Sequence, residues 1–175
     1  MTKTVAALLI LLATASSAHA SKNISKSLSV SLTLSKTQCK INNGAGVSGH
    51  YLLPVISISG QIVGSKNFTT VPIIIDCSAG GNVNQLEITF GDDSNKKIDS
   101  TTWSTTNKDL ALRFSWTKGK QLGFSLGAVQ NINKSSWLEG NKKFNASVDV
   151  SPVILRSSVQ GGKYTSALPV TVTFI

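Results

Sequence analysis

The stretch Ser27-Leu28-Ser29-Val30-Ser31-Leu32-Thr33-Leu34-Ser35 alternates apolar and hydroxyl side chains without a break. Successive side chains of a strand point to opposite faces. Leu28, Val30, Leu32 and Leu34 therefore share one face, and the serines and Thr33 share the other. Nine residues of strict alternation predict a β-strand with one buried face. No hairpin turn signal precedes the stretch. It therefore has no obvious antiparallel partner upstream, and which sheet it completes is open at this point.

Upstream lies a segment with a different logic. Lys3 gives a positive start, Val5 to Ala15 is apolar or small, and Ala18-His19-Ala20 is a small-residue cleavage pattern. These features predict a secretory signal peptide over residues 1–20. Its apolar run is shorter than the roughly 20 residues a membrane span needs, and no later stretch reaches that length. The expected product, Ser21 to Ile175, is exported and has the length of one domain. It holds two cysteines, Cys39 and Cys77. In an exported chain such a pair reads as one disulfide. Two cysteines without a CxxC spacing, and one histidine after the leader, do not make a tetrahedral metal site.

The chain is basic, with 17 Lys and Arg against 8 Asp and Glu. The lysines are scattered (Lys96-Lys97, Lys118, Lys120, Lys134, Lys142-Lys143) and not interleaved with aromatics. A solvated basic surface is expected, and nucleic acid is not an expected partner.

Ser, Thr, Asn, Val and Ile dominate the rest, which favours strands over helices. Strands are expected near Ser29–Ser35, Leu52–Ile58, Phe68–Cys77, Gln85–Phe90, Leu110–Trp116, Leu122–Leu126, Phe144–Leu155 and Leu168–Ile175. Turns are expected at Asn42-Asn43-Gly44, Gly91-Asp92-Asp93, Gly140-Asn141 and Gly161-Gly162. Pro72 within Val71–Ile75 marks an edge or a bend. Many short strands at near-regular spacing predict an all-β sandwich.

The residues give little catalytic chemistry. His50 sits in a Gly-rich context without a GxSxG elbow, and it is expected at the surface. Asp92-Asp93 lacks the ligand spacing of a calcium loop and is expected to cap a turn. There is no Walker or dinucleotide glycine motif. No enzyme activity, metal or cofactor is expected. Trp103, Trp116 and Trp137 are expected to be core residues; a receptor-binding platform is the alternative.

A further alternating strand carries Leu168, Val170, Val172 and Phe174 on one face. With it the chain resembles the pilins of bacterial chaperone–usher fimbriae, closest to the minor subunits of P and type 1 pili. The resemblance rests on five features: the leader before a short alternating arm; the start Cys39-Lys40-Ile41-Asn42-Asn43-Gly44; the position of Cys77 at the end of a strand; the Gly161-Gly162-Lys163-Tyr164 turn; and the alternating strand that follows, with Phe174 next to Ile175. It covers the whole of residues 21–175.

The resemblance implies an immunoglobulin-like sandwich lacking its last strand. It implies a donor-strand extension over residues 21–31, with Ile24, Leu28 and Val30 as plugs, and a pilin domain over residues 32–175. Leu32 and Leu34 would then begin that domain's own first strand. Leu168, Val170, Val172 and Phe174 would form the groove edge that a periplasmic chaperone captures. The implied partners are that chaperone, an outer-membrane usher and neighbouring subunits, with a host-cell receptor as a further possibility. The implied location is a cell-surface fimbrium. Lys26 interrupts the apolar alternation of the arm, and the basic charge is unusual for a main shaft subunit. Both fit a minor or adaptor subunit. Two alternative readings are a single-domain fimbrial adhesin and a self-contained secreted β-sandwich binding protein.

Overall fold

The computed structural model describes residues 26–34, 39–47, 49–57, 61–79, 83, 85–117, 123–133, 142–156 and 162–175. The expected leader, Ile24 and Trp137 lie outside these. The described residues form an all-β sandwich with one short 3-10 turn at Asn42–Gly44.

One sheet runs in the order β11 (Val129–Asn133), β8 (Gln85–Phe90), β14 (Tyr164–Phe174), β1 (Lys26–Leu34) and β3 (Gly49–Leu52). The other runs β6 (Thr69–Val71), β13 (Val148–Ile154), β10 (Leu110–Trp116) and β9 (Thr102–Ser104). A smaller sheet joins β12 (Lys143–Asn145), β7 (Ile74–Asp76) and β2 (Lys40–Ile41), and β4 (Val55–Ile56) pairs with β5 (Ile62–Val63).

Alternation builds the core directly. Leu86, Ile88 and Phe90 on β8 and Leu168, Val170, Val172 and Phe174 on β14 are buried from the first sheet. Leu112, Phe114 and Trp116 on β10 and Val148 and Val150 on β13 face them from the second. Phe124, on the segment before β11, packs among Phe90, Phe114 and Trp116 at centroid distances of 5.0, 6.0 and 5.2 Å. Edge-on and offset aromatic contacts of this kind add to simple burial.

Three expected strands are each divided between sheets. Leu52–Ile58 breaks at Leu53-Pro54, which leaves Leu52 on β3 and Val55–Ile56 as β4. Phe68–Cys77 breaks at Pro72, so that β6 joins β13 while β7 joins β2 and β12. Phe144–Leu155 breaks at Ala146-Ser147, where Ala146 N–H donates to the Ile73 carbonyl. These last two crossovers lie side by side. Asn42 braces the one at Pro72. Its side-chain nitrogen donates to the Pro72 carbonyl at 2.9 Å, and its side-chain oxygen accepts from Ile74 N–H at 2.9 Å. Asn42 and Asn43 hold positive φ values of 47° and 59°, a region that asparagine enters more readily than most residues. The Asn-Asn-Gly motif is thus a turn that also fastens the place where a strand changes sheets.

One expected strand is absent. Residues 123–126 of Leu122–Leu126 form a loop, with Leu122 outside the described residues. Phe124 and Leu126 are buried there as packing residues, with Val129–Asn133 supplying the strand instead.

Candidate functional site

The seam between β14 and β3, filled by β1, is the part of the sandwich with the most unusual construction. β14 is paired along one side by its own domain. Thr106 N–H donates to the Thr165 carbonyl, the Trp103 indole N–H donates to the Ala167 carbonyl at 3.1 Å, and Gly91 N–H donates to the Pro169 carbonyl. Further on, Val170–Phe174 pairs antiparallel with β8, and Ile175 N–H donates to the Gln85 carbonyl.

In an extended strand the N–H and C=O of one residue point to the same side, and successive residues alternate. The odd-numbered residues therefore serve the β8 side. The even-numbered ones, Ser166, Leu168, Val170 and Val172, present their backbone groups to β1. Pro169 belongs to the odd set, so its missing N–H takes nothing from the β1 side.

β1 runs parallel to β14, from Lys26 opposite Tyr164 to Leu34 opposite Val172. On its other side β1 pairs antiparallel with β3, from Ser27 opposite Leu52 to Val30 opposite Gly49. Leu28 is 0% exposed and Val30 3% exposed, both within the main core cluster. Ser29 faces solvent. Two of the three expected plug residues thus occupy buried positions, opposite Ser166 and Leu168 of β14, in the core cluster that also holds Leu168 and Val170. The third, Ile24, lies outside the described residues. β3 has β1 as its only strand partner among the described residues.

β1 crosses the expected boundary between Ser31 and Leu32 as one continuous strand. Its surroundings do change nearby. Ser27–Val30 has a strand on each side, whereas the register of Ser31–Leu34 is with β14 alone among the described strands.

The root of β1 is fastened. Four residues, 35–38, separate Leu34 from Cys39. Cys39 and Cys77 form a disulfide, and both are buried. Nearby, Lys40 and Lys143 lie opposite Asp76 on the two neighbouring strands. The Ser78 hydroxyl and backbone N–H hydrogen-bond to the Asp76 carboxylate, Lys143 approaches it at 3.3 Å, and together they hold its pKa down to about 2.

Trp103 is 0% and Trp116 7% exposed, so neither forms a surface platform. His50 is exposed, on β3 and not in a turn. Its strand status comes from pairing with β1, which the sequence Gly49-His50-Tyr51-Leu52 does not advertise. Asp93 accepts from Asn95 N–H at 2.9 Å and so closes a turn. Among the described residues no group of three or more His, Cys, Asp or Glu side chains could hold a metal ion, and no helix is long and apolar enough to cross a membrane.

The chain is 74% identical to Protein FanH from Escherichia coli over 175 residues, which is the full length of both chains. No protein-family model matches it.

Proposed function

Because the chain belongs to the family of Escherichia coli protein FanH, we propose that it is a structural subunit of a bacterial surface fimbria, polymerised by donor-strand exchange. FanH is a fimbrial-operon name. The observation that carries the mechanism is the β14 seam. One side of β14 is paired by the domain itself, whereas the other is paired by a strand contributed from residues 26–34. Without an occupant, the even-numbered backbone groups of β14 and the apolar face of Leu168, Val170 and Val172 would be open. Such an edge is a template for association.

In this reading a periplasmic chaperone first lends the missing strand. At the outer-membrane usher, the arm of the next subunit takes its place. Strand addition supplies main-chain hydrogen bonds for affinity and alternate side chains for pocket filling. Residues 21–31 are the donor, with Ile24, Leu28 and Val30 as plugs. Residues 32–175 are the domain that receives a neighbour's arm beside Leu168, Val170, Val172 and Phe174. The change of surroundings between Val30 and Leu34 supports a boundary in that interval. Each subunit gives its arm and receives another, so the interface is heterologous and the product an open filament. The basic charge and Lys26 favour a minor or adaptor position.

The burial of Trp103 and Trp116 takes two of the three tryptophans out of a receptor-binding platform and favours the structural reading. The role is structural, with no catalytic step, and contributes to adhesion through the fibre.

Two deletions test this in a strain assembling the fibre. Removing residues 21–31 is expected to leave a chaperone-bound subunit in the periplasm that is absent from fibres. Removing residues 168–175 is expected to prevent chaperone capture. Normal incorporation of the first variant would contradict the proposal.

A further inference from the structure

Resting on that groove reading, we infer that the free subunit caps itself: its own arm closes its own groove, so that the subunit can neither donate nor accept a strand until the arm is released. The observation is the sense of β1. Every other strand pairing among the described residues is antiparallel, and only β1 with β14 is parallel.

The tether explains the direction. Leu34 lies opposite Val172, toward the Phe174 end of β14, and the chain continues within four residues to Cys39, fixed by its disulfide to Cys77. A segment rooted at that end and laid along β14 must run back toward Tyr164, which is the parallel direction. The pleat then decides whether the fit is good. The register pairs even-numbered residues of β1 with even-numbered residues of β14 (Leu28 with Ser166, Val30 with Leu168), so Leu28 and Val30 both enter the core. A slip of one residue would turn both to solvent. The self-inserted arm is therefore a well-matched occupant of the groove.

One groove holds one strand, so self-capping and polymerisation exclude each other. A segment on a short tether acts at an effective concentration of about millimolar. At about 10 μM subunit, the arm's own groove is favoured over a neighbour's by a factor on the order of 100 where the two fits are equal. Chaperone capture then has a second consequence. By occupying the groove, the lent strand keeps the arm outside and available to donate.

Ser29 and Ala167 are register partners, and both side chains face solvent. The double variant Ser29→Cys, Ala167→Cys in residues 21–175 reads where the arm lies. On oxidation at low micromolar concentration, self-capping predicts an intramolecular disulfide in a monomer. The linked protein should neither bind a synthetic peptide of residues 21–34 nor join other subunits, and reduction should restore both. A folded protein that forms no such link, or forms it only between chains, overturns the inference. If the link forms but the reduced protein still takes up neither peptide nor partner, self-capping stands and donor-strand exchange fails.

Hydrogen exchange on the unaltered chain keeps the inference falsifiable should the double variant misfold. The amides of Leu168 and Val170 should be protected at high dilution, and rapid exchange there within an otherwise protected β14 would overturn it.

Discussion

The seam between β10 and β13 and the seam between β1 and β14 are made from the same kind of sequence and held in different ways. Both present alternating apolar residues to one core: Leu112, Phe114 and Trp116 with Val148 and Val150 in one case, Leu28 and Val30 with Leu168 and Val170 in the other. β10 and β13 are antiparallel over seven register pairs and lie between β6 and β9 as interior strands of their sheet. β1 is parallel to β14 and reaches it through a four-residue connection to a disulfide. Alternation specifies that a strand will be buried on one face. It does not specify whose sheet that strand completes. The comparison predicts that perturbing the first seam harms the domain in every context, while perturbing the second depends on what fills the groove.

The largest effect falls in the fixed seam. Phe114→Ala removes a fully buried ring and should cost about 3–5 kcal/mol, whether the groove is filled by the natural arm or by a relocated copy. Thermal and denaturant unfolding check this. An effect that vanished with the arm relocated would make the two seams equivalent.

The tether comes next. Cys39 and Cys77 enclose a sequence separation of 38, for which the chain-entropy model gives about 4 kcal/mol. Cys39→Ser should lower the yield and unfolding midpoint under oxidising conditions and loosen the root of β1. Unchanged stability would remove the disulfide from the account.

Leu28→Ala in the exchangeable seam should cost about 2–5 kcal/mol in a subunit whose own arm fills the groove. Within a fibre the same substitution should weaken the junction to the neighbour that receives the arm. Unfolding of the monomer and denaturant release of subunits from fibres separate the two. A loss in neither would mean that Leu28 is no plug.

Gly91 follows β8, on the side of β14 away from β1, with φ of 67°, and an added Cβ would lie 2.5 Å from the buried Trp103 ring. Gly91→Ala should therefore destabilise by about 1–3 kcal/mol, while a small effect would show that Trp103 can move aside.

The smallest effect is at Asp76. Its depressed pKa means that the folded state prefers the carboxylate. That stabilisation is present above about pH 4 and is lost as pH falls through the folded value, about 2. Asp76→Asn should be slightly less stable than the parent near neutrality, with the gap closing in acid. A gap that widened in acid would reverse the assigned sign.

Residues whose own alternation defines a strand were legible in the sequence. Gln85–Phe90 and Leu110–Trp116 occupy the expected bounds. Leu28 and Val30 on β1 and Leu168, Val170, Val172 and Phe174 on β14 are buried as their period requires.

Strands defined by their neighbours were not legible. Thr102–Ser104 has little pattern and becomes a strand through pairing with Ala111–Arg113. Gly49–Leu52 exists beside β1 in the same way. Gln121-Leu122-Gly123-Phe124-Ser125-Leu126 carries a strand-like alternation, yet Phe124 and Leu126 fill the core from a loop, because burial alone does not require a ladder partner. The parallel sense of β1 was also beyond the sequence. It follows from where the tether meets the sheet, a property of the assembled fold.

Relocating the strand measures the central claim most directly. Two proteins are compared, both lacking residues 21–31 at the front, one with that segment attached after Ile175 through a flexible linker. The account predicts that the tailed protein is a monomer with a cooperative thermal transition, and that the plain protein aggregates or is degraded. Equal folding of the two would contradict it, since the sheet would then be complete without an added strand.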